Sequence, residues 1–322
     1  MNRLHNTLRN DASTGAPLVA LTGITGFVGS HMGSALLQAG MSVRALARHP
    51  QKSTHYGLPN IEWVSGDLRD PTTLDGLVRG VNHVVHIGGL TKALSWDEFS
   101  AVNVDAANAL AAACQSHKVA RLIALSSITA REPGLSPYAR SKNLGETAIA
   151  TAFPQATILR PPAIYGPGDE EVIRLLAPAK HGFLPVPGPM DARLAIIHVA
   201  DVVSAILAII RMDKPLPGVF ELHDGRPEGY NWREIAAVLS ATLGRRVRPI
   251  KVSPLIMRAA GQLSDAWARI SQHASVFGSG KVRELAHPDW SVRHQDLARF
   301  CDWKPEWDLA RGAASVIGRA RT

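Results

Sequence analysis

From residue 17 onward the chain alternates two hydrophobic rhythms. "PLVALTG" (17–23) is a short apolar run stopped by glycine, and "GSHMGSALLQAG" (29–40) repeats its apolar positions at helical spacing before another glycine. "MSVRALAR" (41–48) then alternates, followed by "IEWVSGD" (61–67), the buried run "VNHVVHIGG" (81–89) and a helical "DAANALAAACQSHK" (105–118). "RLIALSS" (121–127), a helix beginning near residue 137 and "ATILRPP" (156–162) continue the series. Strands alternating with helices predict an α/β fold with a doubly wound parallel sheet, helices covering both faces. The longest apolar stretch, "HVADVVSAILAII" (198–210), contains Asp201 and is too short to span a bilayer, so it predicts a buried helix.

Two blocks break the rhythm. Residues 166–195 are rich in proline and glycine, and five of the seven tryptophans lie beyond residue 231. We therefore expect a sheet domain over 17–165 plus about 196–223, a smaller lobe over 166–195 plus about 224–322, and a flexible tail over 1–16. The segment "SPLIMRAAGQLSDAWARI" (253–270) is amphipathic, with arginines and a tryptophan. It reads as a core helix of the lobe, a membrane-surface helix being the alternative.

The first candidate chemistry sits where the first strand meets the first helix. "ALTGITGFVGSHM" places Gly23, Gly26 and Gly29 across that turn, with Thr25, Phe27 and Val28 between them. A tight turn needs the first glycine, approach of a pyrophosphate the second, and close helix–strand packing the third. The loop predicts dinucleotide binding. The second strand ends in Arg48, nineteen residues past Gly29, with no acidic residue beside it. A guanidinium there suits a 2′-phosphate, so NADP is expected rather than NAD. Arg44 shares its strand parity.

The second candidate is "SPYARSKNLGE" (136–146), where Tyr138 and Lys142 stand four residues apart and share a helix face. A phenol is a poor acid and base near neutrality unless its pKa falls, and a neighbouring ammonium would lower it.

Composition removes other classes. The net charge of +8 is dispersed apart from short clusters such as "GRRVR" (244–248), without the aromatic interleaving of a nucleic-acid module. Two cysteines make no disulfide framework, and thirteen histidines include no metal-ligand spacing. His83 and His86 fall on opposite strand faces. No nucleophile elbow, no membrane-spanning run and no apolar core in the first sixteen residues appear. No metal, nucleic acid or integral membrane association is expected, and the cytoplasm is the default compartment.

Together "TGITGFVG", "GDLRD", "VVHIGG", Asn103 in "NVDAANAL", "LSSIT", "YARSK", "RPPAIYGPGD", "HVADV" and "CDWKPEWDLARG" resemble the extended short-chain dehydrogenase/reductase family, also called the NAD-dependent epimerase/dehydratase family. The resemblance covers nearly everything after residue 17. It implies a Rossmann domain with a smaller C-terminal substrate-binding lobe, and a homodimer. By the same resemblance Tyr138 is the general acid/base, Lys142 holds the nicotinamide ribose, and Ser127 contacts the substrate oxygen, with Ser126 and Thr129 as weaker claimants. Asp67 and Leu68 line the adenine pocket, Gly88 the cofactor cleft, and Pro161 and Pro162 the nicotinamide. A serine at a strand end also caps turns, and Asp67 and Asn103 also suit turn and cap positions.

Within the family, nucleotide-sugar enzymes carry an asparagine for the substrate diphosphate where this chain has Ala163. They also carry an acidic second-strand end where it has Arg48. Their serine and tyrosine also lie farther apart than the eleven positions from Ser127 to Tyr138. All three departures resemble the reductase and 3-beta-hydroxysteroid-dehydrogenase-like branch, although Gly88 and Gly89 replace its usual alanines. The expected function is NADP(H)-dependent interconversion of a carbonyl and an alcohol on a small-molecule substrate at a Ser–Tyr–Lys site. A nucleotide-sugar epimerase or dehydratase, with Arg193 meeting a phosphate, is the alternative. A non-catalytic NADPH-binding assembly subunit is the second.

Overall fold

The computed structural model describes residues 16–50, 60–275 and 277–318. All but the last residue of the expected 1–16 tail lies outside the described residues. β1 (Leu18–Thr22) leads into α1 (Phe27–Gln38), followed by β2 (Ser42–Ala47), β3 (Ile61–Ser65), α2 (Pro71–Val78) and β4 (His83–His86). A short helix, Trp96–Phe99, runs through a π-helical turn, Ser100–Asp105, into α3 (Ala106–Ser116). Then come β5 (Arg121–Leu125), α4 (Pro137–Ala152), β6 (Thr157–Arg160), β7 (Ala163–Tyr165), α5 (Glu171–Leu176) and β8 (Phe183–Val186). β9 (Arg193–Leu194), β10 (Ile196–His198), α6 (Val199–Arg211), β11 (Gly218–Glu221), α7 (Trp232–Leu243) and β12 (Arg248–Lys251) follow. The last elements are α8 (Pro254–Ser271), α9 (Ser279–Ala286), β13 (Asp289–Trp290), β14 (Gln295–Asp296) and α10 (Leu309–Ile317).

Eight strands pair in parallel in the order β14-β11-β6-β5-β4-β1-β2-β3. This is the expected Rossmann-type sheet. Helices on both faces make its central strands near-continuous apolar runs. One face packs Val28, Met32 and Leu36 of α1 with Val202, Ile206 and Ile209 of α6, and the other packs Leu74 and Leu77 of α2 with Leu110 and Ile149. A third core, around Tyr165, Leu184, Trp232, Leu239 and Leu309, belongs to the smaller C-terminal lobe. Strand order reverses between β1 and β4, so a crevice opens at their carboxyl ends, the usual ligand position in such sheets.

Asp201 explains why an apolar helix carries a carboxylate. It is buried in α6 and accepts the N–H groups of Glu306 (2.9 Å) and Trp307 (3.0 Å). Trp303 donates to Ser204 on the same helix at 2.9 Å, and Trp307 stacks on His198 at 4.3 Å. The "HVADV" and "CDWKPEWD" segments are thus two halves of one clasp.

The amphipathic segment 253–270 departs from the expectation of a core helix. It forms α8, but only Met257, Gly261 and Ala268 are buried along it, on the side where Gly261 meets α9. Leu255, Ile256, Leu263, Trp267 and Ile270 are exposed. The helix carries two apolar stripes, and only one has a partner among the described residues.

Asp201→Ala removes the acceptor of two partly buried N–H groups, each costing up to roughly 1–3 kcal/mol when left unpaired. In urea unfolding we expect a loss of about 2–5 kcal/mol, with Asp201→Asn losing less; a change within 0.5 kcal/mol or so for alanine would refute the clasp.

Candidate active site

The glycine loop closes because three side chains are missing. Gly23 has φ +78°, and a Cβ there would lie 2.6 Å from the backbone nitrogen of Gly88. At Gly29 a Cβ would lie 1.9 Å from the Gly23 carbonyl oxygen, so α1 starts directly against the end of β1. Gly26 is the N-cap of α1, its N–H donating to Gly23 O at 3.0 Å. No acidic residue occupies the first turn of α1, which leaves the positive helix terminus uncompensated. Thr25 is exposed, Phe27 half-buried and Val28 in the core. This bare cradle fits a dinucleotide pyrophosphate.

The loop after β4 is fastened to the same place. Thr22 bonds His86 Nδ1 at 2.8 Å and accepts from Gly88 N at 3.1 Å. A Cβ at Gly88 would meet a methyl of Leu68 at 2.8 Å, and one at Gly89 would meet Asn103 Oδ1 at 3.1 Å. Asn103 lies in the π-helical turn, accepts from Leu90 N (2.8 Å), and donates to Leu90 O and to Ser141, both at 2.9 Å. It is a buried tie between the β4 loop and α4.

α4 begins with Ser136, whose side chain accepts from Ala139 N at 2.9 Å, with Pro137 in the first turn. Tyr138 therefore sits at the positive end of a helix, its ring 6.3 Å from that of Phe99. Burial pushes its phenol above the ordinary range; a hydrogen bond from Ser127 pulls the other way, and the Glu284 and Glu171 carboxylates add to the rise. Ser127 also caps the 3-10 turn Ile128–Arg131, accepting from Thr129 N (3.2 Å) and Thr129 Oγ1 (2.9 Å). Pro161 is buried and its carbonyl holds that turn by accepting Ile128 N at 2.9 Å; Pro162 is buried beside it.

Lys142 donates to Leu125 O at 2.9 Å. Burial brings its ammonium down to about 8, with the Glu146 carboxylate opposing. The expected lowering of the phenol by Lys142 is corrected here: the ammonium is directed to a strand carbonyl, and desolvation governs Tyr138.

Sequence reasoning missed what lies beneath this pair. Glu146, one helical turn beyond Lys142, accepts from Ser126 at 2.5 Å and forms a two-pronged pair with Arg160 at 2.6 and 2.9 Å. Ser126 is thereby engaged inward. The signal was the glutamate at the end of "SPYARSKNLGE", on the same face as Lys142.

Farther out, Asp67 is gripped by Arg69 through both carboxylate oxygens and the backbone, and these bonds hold its carboxyl down to about 2. Arg48 is exposed just past β2, close enough for its charge to act on Asp67. Arg44 is spent on Glu62 at 2.8 Å and on the carbonyls of Leu77 and Arg79. Arg193 pairs with Glu234 at 3.3 Å. Ala163 opens β7 exposed.

Residues 19–222 match the model of the NAD dependent epimerase/dehydratase family. The chain belongs to that family. It is an NAD(P)-dependent oxidoreductase of the short-chain dehydrogenase/reductase and epimerase/dehydratase superfamily. It is similar to a ceramide reductase of Caulobacter vibrioides (strain NA1000 / CB15N), 42% identical over 282 residues, covering 87% of this chain and 88% of that protein. It is also similar to a 2-alkyl-3-oxoalkanoate reductase of Stenotrophomonas maltophilia (strain K279a), 28% identical over 70% of this chain and 76% of that one. Among solved structures, MoeE5 in complex with UDP-glucose and NAD superposes with a TM-score of 0.69 at 20% identity, over 93% of this chain and 97% of that one.

The match is to the epimerase/dehydratase family as a whole and does not support the narrower hydroxysteroid-dehydrogenase-like branch. Two expectations need correction. NADP gives way to NAD: MoeE5 and the other solved structures of this fold found with it, at 16–20% identity, hold NAD. The NADP(H)-dependent enzyme with a Ser–Tyr–Lys unit also falls. Several of those structures carry UDP-sugars with NAD, as the nucleotide-sugar alternative describes, and Lys142 is not coupled to Tyr138 in the expected way.

His86 yields a prediction for the family's site. Burial, aided by the Lys142 charge, lowers its imidazole to about 3 from 6.5, so the unfolded chain binds a proton that the folded one refuses. Stability should therefore fall as pH drops from 6.5 towards 3, with a slope of up to about 1.4 kcal/mol per pH unit from this group. Denaturant midpoints across that window should fall less steeply for His86→Gln. Equal slopes for the two proteins would contradict the assignment.

Proposed function

We propose an NAD-linked oxidoreductase acting on a long-chain, ceramide-like substrate. The observation that carries this reading is the 42% identity, over 87% of the chain, with the Caulobacter ceramide reductase. The second relative, a 2-alkyl-3-oxoalkanoate reductase, is also named for the reduction of an oxo compound. Two features weigh against a sugar diphosphate: Ala163 where nucleotide-sugar enzymes carry asparagine, and Arg193 engaged by Glu234. The nucleotide-sugar epimerase or dehydratase is the second reading, favoured by the UDP-glucose and NAD held in the MoeE5 structure.

In the proposed mechanism NAD, when bound, supplies or accepts the hydride. Gly23, Gly26 and Gly29 with the α1 terminus would receive the pyrophosphate, and Asp67, Leu68, Gly88, Pro161 and Arg48 would hold the rest of the cofactor. Tyr138 keeps its proton near neutral pH because burial disfavours phenolate, so it is set to donate to a substrate oxygen. Ser127, held by Thr129, stands beside the phenol. Lys142, anchored on Leu125 O, would border the cofactor. The sheet domain over 17–165 and 196–223 binds cofactor, and the lobe over 166–195 and 224–322 receives substrate. The reading takes the protein as a cytoplasmic homodimer.

NADH oxidation against a 3-oxo long-chain amide and a UDP-sugar panel tests the proposal. Turnover on the amide with NADH preferred over NADPH is expected, and turnover confined to UDP-sugars would sink it. Tyr138→Phe should lose roughly 100-fold or more in kcat while NADH binding, followed by fluorescence, stays within about twofold.

A further inference from the structure

We propose that the uncovered face of α8 docks on an anionic lipid bilayer, lying in its surface without crossing it. No helix among the described residues is long and apolar enough to cross a membrane. Yet Leu255, Ile256, Leu263, Trp267 and Ile270 are 63–76% exposed. Ile256, Leu263, Trp267 and Ile270 recur at helical spacing, so they form one stripe rather than scattered surface residues. Ile250, also exposed, extends the apolar surface just before the helix. The opposite stripe is fixed: a Cβ at Gly261 would come within 3.0 Å of Val282 on α9. Rotating α8 to hide one stripe would expose the other.

Charge selects the occupant. Between residues 244 and 273 the chain carries Arg245, Arg246, Arg248, Lys251, Arg258 and Arg269, all exposed, against the single acid Asp265. Asp265 is turned inward, accepting from Ser279 N at 3.1 Å. Arg258 and Arg269, eleven residues apart, flank the same edge of the stripe. A two-fold pairing of this face with a second copy would bring like charges together. Anionic headgroups complement the arginines while acyl chains receive the apolar residues, and a tryptophan suits the boundary between them.

The face is also wired to the site. α9 lies between α8 and the start of α4: Arg283 donates to Leu135 O at 2.6 Å, and Ser136, the cap of the Tyr138 helix, bonds Glu284. A long-chain substrate would be met where it resides, a corollary that rests on the proposed function; the docking itself does not.

Cosedimentation of the full chain with phosphatidylcholine vesicles, with and without about one third phosphatidylglycerol, tests the inference. We expect binding to the anionic vesicles, weakened by salt. A Leu263→Glu/Ile270→Glu pair should lose roughly tenfold or more of it, and Arg258→Gln/Arg269→Gln should flatten the salt dependence. NADH binding by each variant shows that the fold is kept. Absent vesicle binding, or unchanged binding of the glutamate pair, would overturn the proposal. So would a dimer in analytical ultracentrifugation that the glutamate pair dissociates, because a second copy then covers the face. The assay needs no turnover. Docking without activity on the long-chain amide defeats only the functional reading, and activity in detergent without docking defeats only this one.

Discussion

The contact between the first turn of α1 and the end of β1 organises the whole site. The Gly23 carbonyl sits where a side chain at Gly29 would be, which brings the helix terminus down onto the crevice between β1 and β4. From that point the rest follows by fastening. Thr22 holds His86 and Gly88, and Leu68 closes over Gly88. Asn103 ties the β4 loop to α4, so the helix bearing Tyr138 and Lys142 is placed relative to the cofactor cradle by hydrogen bonds and close packing. Gly145 belongs to the same arrangement: a Cβ there would lie 2.2 Å from Asn103 O.

Beneath the reactive residues lies a charged layer that keeps them in place. Glu146 joins Ser126 at the β5 end to Arg160 at the β6 end, and Glu221 on β11 accepts from Arg131 and from the backbone of Arg293. Buried charges of this kind are costly unless fully paired, so a change on one partner is felt across neighbouring strands. The Ser127 turn rests on this layer through Arg131, which links the sheet to the segment carrying Asp289 and Ser291.

Much of this was legible in the sequence because it depends on local pattern. The glycine triplet, the alternation of strands and helices, and the order of short motifs lead to the Rossmann fold and the family without three-dimensional information. What escaped depends on contacts between distant segments. Glu146 and Arg160 are fourteen residues apart on different elements, and Asp201 finds its partners more than a hundred residues away. Position singled out Tyr138 and Lys142 as candidates, but not where the Lys142 ammonium would be directed. Arg48 by sequence alone reads as a phosphate ligand, whereas the solved structures of this fold hold NAD. The amphipathicity of α8 was plain, whereas which stripe would find a partner was not.

Central to the proposed chemistry is net hydride transfer from NADH to a long-chain substrate, with the proton delivered by Tyr138. Mass spectrometry of product formed from NADH carrying deuterium at the transferable nicotinamide C4 position tests it most directly. The account predicts one deuterium retained at the carbinol carbon of the long-chain alcohol, matched by one equivalent of NADH consumed. Product without deuterium, or sugar-nucleotide conversion with no net NADH consumed, would contradict it and return the chain to the epimerase or dehydratase reading.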